Sequence, residues 1–211
     1  MSACLLPLLG IQSKSKNRRK MAKIGLFFGS FNPIHIGHLF IANHIADHGS
    51  VDEVWFVVSP QNPFKKAKNL LPEYNRLHLV NLAIDDNPKL RAKDVEFHLP
   101  RPSYTIDTLV YLEEKYPSFE FSLIIGGDNL PTLHKWKNGD ILLDKYTIYV
   151  YQRPGTTISQ VFNRKNIKLM DCPQVYLSAS YIRQQIKLGK SIKYLVPDAV
   201  EQYILDSGWY K

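Results

Sequence analysis

Two histidines, His35 and His38, flank Gly37 at a spacing that suits contact with phosphate oxygens. The apolar run before them, residues 24–28, predicts a buried strand, and apolar positions between 39 and 46 recur at helical spacing. The histidines therefore lie where a helix begins after a strand. A helix N-terminus presents free backbone N–H groups and a partial positive charge, which favour phosphate binding. Imidazole N–H groups placed there can also donate to phosphate, so this segment indicates nucleotide chemistry.

Further polar residues follow predicted strands or begin predicted helices. Asp128 comes after two glycines at the end of the apolar run 119–125, and a basic loop, 61–71, follows an earlier run. Near the end of the chain, Ser178 is a predicted N-cap and Arg183 lies within the first two turns of the helix that it begins. Ligands of parallel sheets bind outside the carboxyl ends of the strands. We therefore expect the two histidines, the basic loop, residues 102–105 and Asp128 to converge on one site.

Strand-like and helix-like segments alternate after residue 21. The predicted strands are 24–28, 54–58, 95–99, 119–125 and 146–151, and helices are predicted after the histidines and at 72–84, 104–116, 130–136, 177–188 and 197–205. This alternation predicts an α/β fold with a Rossmann-like, doubly wound parallel sheet and a small C-terminal helical part. Residues 21–211 are expected to form a single domain, with about 175–211 as its helical subdomain.

The net charge of +8 is unevenly distributed. The first twenty residues contain five basic residues and no acid, which leaves only +3 for residues 21–211. We interpret residues 1–20 as a disordered basic extension or a mis-assigned start, and the uneven charge argues against a nucleic-acid partner. No apolar run is long enough for a membrane span. Only two cysteines are present, which favours a reducing, cytoplasmic setting.

Common nucleotide and metal motifs are missing. Gly189, Lys190 and Ser191 resemble the end of a P-loop, but Gln184 occupies the position of the required upstream glycine. The first predicted strand is not followed by the glycine fingerprint of dinucleotide-binding proteins. The sequence also offers no acidic cluster or cysteine set that would hold a metal ion.

Four ordered motifs resemble a known family. The histidine motif at 29–38, Gly-Gly-Asp-Asn-Leu at 126–130 and Ser-Ala-Ser-Tyr-Ile-Arg at 178–183 are similar to three motifs of the nucleotidylyltransferase superfamily. Pro-Ser-Tyr-Thr-Ile-Asp-Thr-Leu at 102–109, together with Trp136, resembles the bacterial nicotinate mononucleotide adenylyltransferases. The resemblance covers about residues 22–206, although Asn32 stands where the family usually has aspartate.

The resemblance implies transfer of AMP from ATP to nicotinate mononucleotide, which gives deamido-NAD and pyrophosphate. Mg²⁺ would offset the charge of the triphosphate, and because the sequence offers no acidic cluster to hold it, we expect it to arrive with ATP. The implied catalytic residues are His35, His38 and Arg183. The implied ATP-binding residues are Gly29, Ser30, Phe31, Gly37, Asp128, Ser178 and Ser180. The implied mononucleotide-binding residues are Lys65, Ser103, Tyr104, Thr105, Trp136 and Arg153.

Alternative functions remain open at this point. Nicotinamide mononucleotide, or the acceptor of another superfamily member, is an alternative substrate. A different class of protein, a non-catalytic nucleotide- or RNA-binding protein that uses its basic tail, is a more distant alternative. The sequence leaves the oligomeric state open.

Overall fold

A central parallel sheet organises the molecule. The computed structural model describes residues 21–60, 70–153 and 164–211. Six strands form this sheet in the order β3-β2-β1-β4-β5-β6, and every neighbouring pair is parallel. The strands are β1 (Ala22–Gly29), β2 (Glu53–Val58), β3 (Leu90–Lys93), β4 (Phe119–Gly126), β5 (Thr147–Tyr151) and β6 (Ile167–Met170). This order confirms the predicted Rossmann-like α/β fold.

Helices cover both faces of the sheet. They are α1 (Ile36–His48), α2 (Glu73–Ile84), α3 (Thr105–Lys115), α4 (Gly139–Lys145), α5 (Ala179–Lys187) and α6 (Asp198–Asp206). Short 3-10 helices occupy Val95–His98 and Leu130–Lys135. Within the described residues, none of the helices has the length and apolar character that crossing a membrane requires.

The core consists of two apolar clusters, one on each face of the sheet. Successive strand residues alternate between them, so that Phe27 contributes to one cluster and Leu26 to the other. Helices α1, α2, α5 and α6 supply the first cluster, and α3 and α4 supply the second. Because both faces are covered, the inner strands are apolar throughout, which made them recognisable in the sequence.

The strand order reverses direction between β1 and β4. Chain segments that leave β1 and β4 therefore diverge to opposite faces and leave a crevice at the carboxyl ends of these strands. Register places Phe27 beside Ile124, so β1 and β4 end close to each other at Gly29 and Gly126. The histidine motif follows Gly29, and Asp128 follows Gly126.

Several secondary-structure predictions need correction. The strand predicted at 95–99 is wrong, because the third strand is Leu90–Lys93 and Val95–His98 is a 3-10 helix. Apolar and polar side chains alternate at 95–99, which is typical of a strand. The observed strand is instead short and carries the polar residues Arg91 and Lys93. Helix α4 and the edge strand β6 were not predicted. The predicted extension at 1–20 lies outside the described residues.

Candidate active site

The predicted site residues converge on one cleft at the carboxyl ends of the strands. This cleft has a volume of about 1170 Å³, enough for a ligand of dinucleotide size. All of the predicted site residues except Lys65 line it. The four motifs therefore meet in space as expected, although the sequence separates them widely. Lys65 lies outside the described residues.

The two histidine rings are stacked at the start of α1. His35 occupies the N-cap position with an extended backbone, and His38 lies in the first turn. Their ring centroids are 3.7 Å apart at an interplanar angle of 25°. The rings of Phe31 and His38 pack edge to face, with centroids 5.1 Å apart. Apolar packing thus fixes the imidazole pair at the helix terminus.

His35 is held in the neutral form. Its side chain is buried, and burial lowers its pKa from 6.5 to about 4, with a further contribution from the positive charge of Arg153. A neutral imidazole has one donor and one acceptor nitrogen. Its Nδ1 atom is buried and finds no hydrogen-bond partner among the described residues. Near neutral pH, His35 can therefore act as a hydrogen-bond donor but not as a cation.

Two glycines allow the close packing of the motif. A Cβ atom at Gly29 would lie 2.8 Å from the ring of Phe31, whose own φ is +45°. A Cβ atom at Gly37 would lie 3.0 Å from Nδ1 of His35. The glycines at these positions therefore leave room for two side chains that shape the floor of the cleft.

Arg76, which the sequence did not identify, holds the motif from behind. This guanidinium is fully buried and donates to four backbone carbonyl groups. It donates to Ser30 at 2.6 Å and Ser59 at 2.8 Å through Nη1, to Pro60 at 2.8 Å through Nη2, and to Leu71 at 2.8 Å through Nε. Burial lowers its pKa. Arg76 thus joins the turn after β1 to the end of β2. The only sequence signal was an arginine on the otherwise apolar face of α2.

The third motif reaches across the cleft to the first. Nη1 of Arg183 donates to the backbone carbonyl of Asn32 at 2.6 Å, and Nη2 donates to Oγ of Ser180 at 3.1 Å. The backbone N–H of Tyr181 donates to Oγ of Ser178 at 3.2 Å, which confirms Ser178 as an N-cap. Arg183 is therefore held with its positive charge beside the N-terminus of α5.

Asp128 and Arg153 form an ion pair at the end of β4. Arg153 donates from Nη1 to Oδ2 of Asp128 at 3.1 Å and from Nη2 to the Tyr151 hydroxyl at 2.9 Å. A Cβ atom at Gly126 would collide with Asp128 and would lie 2.7 Å from Nε of Arg153. The sequence did not reveal this pair, which places a carboxylate and a cation side by side in the lining of the cleft.

The Pro-Ser-Tyr-Thr segment leads into α3 on the opposite side of the cleft. Tyr104 is the N-cap residue with an extended backbone, and no side chain caps the helix. The first N–H groups of α3 have no partner within the helix and remain available to an anion. Trp136 packs against the second apolar cluster and also lines the cleft. Nζ of Lys137 lies 4.9 Å from the centroid of the Tyr104 ring.

The donor groups around the cleft suit phosphate. Imidazole, guanidinium, hydroxyl and backbone N–H groups surround the cleft, and all of these can donate to phosphate oxygens. In the described ranges 21–60, 70–153 and 164–211, no group of three histidine, cysteine, aspartate or glutamate residues could hold a metal ion.

Known proteins are similar to this chain in sequence and in fold. Residues 26–185 match the family described as cytidylyltransferase-like. A probable nicotinate-nucleotide adenylyltransferase from Flavobacterium psychrophilum is 54% identical over 90% of this chain and 99% of its own length. One from Bacteroides thetaiotaomicron, which carries the same description, is 42% identical over 86% of this chain and 90% of its own length.

Solved structures share the fold at low sequence identity. A Plasmodium falciparum nicotinic acid mononucleotide adenylyltransferase complexed with NaAD superposes with a TM-score of 0.74 and 21% identity, over 90% of this chain and 97% of that one. A putative nicotinate-nucleotide adenylyltransferase from Vibrio parahaemolyticus gives a TM-score of 0.68 and 22% identity, over 88% and 99% of the two chains.

Proposed function

This chain belongs to the cytidylyltransferase-like family and, within it, to the nicotinate-nucleotide adenylyltransferases, and we propose on this basis that it adenylylates nicotinate mononucleotide. In this reaction an oxygen of the mononucleotide phosphate attacks the α-phosphorus of ATP. A new P–O bond forms, the bond from the α-phosphorus to the bridging oxygen breaks, and pyrophosphate leaves with the bonding electrons. The products are nicotinate adenine dinucleotide and pyrophosphate. The convergence of all described motif residues on one cleft carries this proposal.

Positioning and charge stabilisation account for the catalysis. The attacking phosphate is already anionic near neutral pH, so the reaction needs no general base. The enzyme must hold two anions in line and stabilise negative charge as the bond to pyrophosphate breaks. His35 and His38 serve as donors to the α- and β-phosphate oxygens at the N-terminus of α1. The stacked, apolar packing of the rings supports this role because it limits their rotation.

The leaving pyrophosphate is bound by Arg183 and the start of α5. Guanidinium groups form strong, directed hydrogen bonds with phosphate. The hydrogen bonds to Asn32 and Ser180 orient the Arg183 guanidinium before substrate binds. Ser178 and Ser180 add hydroxyl and backbone donors at the same helix terminus, and Gly29, Ser30 and Phe31 form the opposing wall against ATP.

The two nucleotides meet around Asp128. Asp128 accepts hydrogen bonds from ribose hydroxyl groups, and Arg153 contacts phosphate of the mononucleotide. Their ion pair keeps both side chains oriented toward the cleft. Lys65 is a further phosphate ligand by the family resemblance alone.

The nicotinate ring is bound at the start of α3. The backbone N–H groups of Tyr104 and Thr105 receive its carboxylate, and Ser103 completes this segment. Trp136 stacks on the ring. The uncapped helix N-terminus supports the choice of an anionic acceptor, because its N–H groups favour a carboxylate over a neutral carboxamide.

Mg²⁺ accompanies ATP and offsets charge on the triphosphate when bound. Phosphate oxygens and water are its usual ligands in nucleotide sites. A cytoplasmic setting is supported by the two cysteines of the chain, of which Cys172 is buried and free.

Pyrophosphate release from ATP tests the proposal directly. The purified enzyme is assayed with ATP, Mg²⁺ and either nicotinate mononucleotide, nicotinamide mononucleotide, phosphopantetheine or no acceptor. We expect release to depend on nicotinate mononucleotide, with product confirmed by mass spectrometry. Equal or better turnover of nicotinamide mononucleotide would contradict nicotinate mononucleotide as the acceptor. If no acceptor gave pyrophosphate release, the transfer reaction itself would be contradicted.

A further inference from the structure

Glu96 is a buried carboxyl group that none of the motifs includes. It lies in the 3-10 helix Val95–His98, and only 3% of its surface is exposed. It nevertheless lines the cleft beside Ser103, Tyr104 and Thr105. A buried carboxyl at this place requires an explanation, because taking such a group out of water is unfavourable unless hydrogen bonds compensate.

The hydrogen bonds of Glu96 lead to the start of α3. Oγ1 of Thr108 lies 3.1 Å from Oε1 of Glu96 and 3.3 Å from the backbone carbonyl oxygen of Tyr104. A hydroxyl group has one proton to donate and two lone pairs to accept with. When Thr108 donates its proton to the Tyr104 carbonyl, its oxygen can accept a hydrogen bond from a protonated Glu96. Both contacts are satisfied together when the carboxyl is protonated.

A neutral carboxyl also fits the electrostatics of the acceptor site. Burial raises the pKa of Glu96, while the hydroxyl groups of Ser59, Thr108 and Ser103 act in the opposite direction. An ionised Glu96 would repel a substrate carboxylate bound at the start of α3. A neutral one forms the same contacts without opposing that charge.

We propose that Glu96 is a positioning residue for the acceptor: through Thr108 it fixes the Tyr104 carbonyl and the first turn of α3. It thereby sets how tightly the mononucleotide binds, and it leaves the binding of ATP unchanged. This inference rests on the proposed function, in which Tyr104 and Thr105 hold the nicotinate carboxylate. Glu96 itself touches neither substrate in this scheme. Its effect is therefore confined to the KM for the mononucleotide, and the KM for ATP is unchanged.

Four single substitutions test the arrangement. Glu96→Ala removes the carboxyl, and Glu96→Gln keeps a neutral group that can both donate and accept. Thr108→Val removes the hydroxyl that connects Glu96 to Tyr104 while it preserves side-chain shape in a fully buried position. Glu114→Ala, on an exposed position of α3, is the matched control. For each variant kcat, the KM for ATP and the KM for nicotinate mononucleotide are measured, together with thermal unfolding.

A selective effect on the acceptor is expected. Loss of one positioning hydrogen bond predicts a rise of about tenfold in the KM for nicotinate mononucleotide for Glu96→Ala and Thr108→Val, with the KM for ATP within about twofold of wild type. The double variant Glu96→Ala/Thr108→Val should be no worse than either single variant, because both break the same connection. Glu96→Gln and Glu114→Ala should resemble wild type.

Three results would overturn the inference. They are an unchanged KM for the mononucleotide, an equal rise in both KM values, and a Glu96→Gln variant as impaired as Glu96→Ala. If Glu96→Ala does not fold, Thr108→Val and Glu96→Gln decide the question. A wild-type enzyme that turns over neither mononucleotide contradicts the proposed function, whereas normal wild-type turnover with unaffected variants contradicts only the role of Glu96.

Discussion

Arg183 donates a hydrogen bond of 2.6 Å from Nη1 to the backbone carbonyl of Asn32, and so joins the third motif to the first. The Asn32 side chain is itself held, since its Oδ1 accepts from the Tyr210 hydroxyl at 2.7 Å and from the Leu71 backbone N–H at 3.3 Å. Burial raises the pKa of Tyr210, which therefore keeps its donor proton. The guanidinium is oriented before substrate arrives, which is what stabilisation of a leaving pyrophosphate requires.

Substitution of Arg183 by lysine should therefore impair turnover although the charge is kept. A lysine cannot donate to Asn32, Ser180 and phosphate in one planar arrangement. We expect kcat to fall at least about tenfold for Arg183→Lys and about 10²- to 10³-fold for Arg183→Ala, in the range for loss of a transition-state donor. Lys187→Ala, which removes an exposed charge from the same helix, is the control and should match wild type. Normal turnover of Arg183→Ala in a pyrophosphate-release assay would remove this residue from the mechanism.

His38→Ala should reduce turnover without unfolding the protein. Loss of one donor to the transition state predicts a fall in kcat of at least about 10²-fold. Circular dichroism and thermal unfolding should show an intact fold. His48→Ala, an exposed histidine in the last turn of α1, should leave kcat unchanged. A His38→Ala enzyme with near-normal turnover would refute the assigned role.

The pKa of His35 predicts how stability varies with pH. This pKa is about 4 in the folded protein and 6.5 in a free histidine, so between these values the unfolded chain binds more protons than the folded one. The free energy of unfolding should therefore fall as pH decreases from about 6.5 to 4, by at most about 3 kcal/mol for this group. Urea unfolding at pH 7 and pH 4.5 measures this difference in the free energy of unfolding. His35→Asn should lose less stability over the same interval, and an equal loss would contradict the prediction.

The parallel sheet could be predicted because buried strands are apolar throughout and helices separate them. The site residues then had to meet, since carboxyl ends of parallel strands share one edge. Asp128, which follows a strand, lies in the cleft accordingly, and Ser178 is the N-cap of α5 as predicted. Residue types and chain topology were therefore sufficient to predict the sheet and the edge of it at which the cleft lies.

Contacts between distant side chains could not be read from the sequence. The ion pair of Arg153 with Asp128 depends on the register of β4 and β5 and on the space that Gly126 leaves. Glu96 was misread as part of a strand because its neighbours alternate in polarity. No role could be assigned to Arg76 from the sequence, and only the packed structure shows that its side chain is fully buried. In each case tertiary packing decides the role.

Gly37→Ala should separate catalysis from stability. An alanine side chain at this position would lie 3.0 Å from Nδ1 of His35, so the imidazole must shift by a few tenths of an ångström. Small misplacements of catalytic groups are costly, and we expect kcat to fall about tenfold. Alanine also has a higher helix propensity than glycine, so thermal stability should be retained. A fully active Gly37→Ala enzyme would show that the position of the His35 ring is not critical.

Arg76→Met should destabilise the fold far more than an exposed arginine substitution. Methionine fills a similar volume but leaves the carbonyl groups of Ser30, Ser59, Pro60 and Leu71 without their donor. Each buried polar group left unsatisfied costs about 1–3 kcal/mol, so the free energy of unfolding should fall by at least about 3 kcal/mol. Arg91→Met is the matched control, because its 3.7 Å ion pair with Glu53 is exposed and is worth at most about 1 kcal/mol. Equal urea midpoints for the two variants would mean that the four carbonyl contacts of Arg76 do not stabilise the turn that carries the histidines.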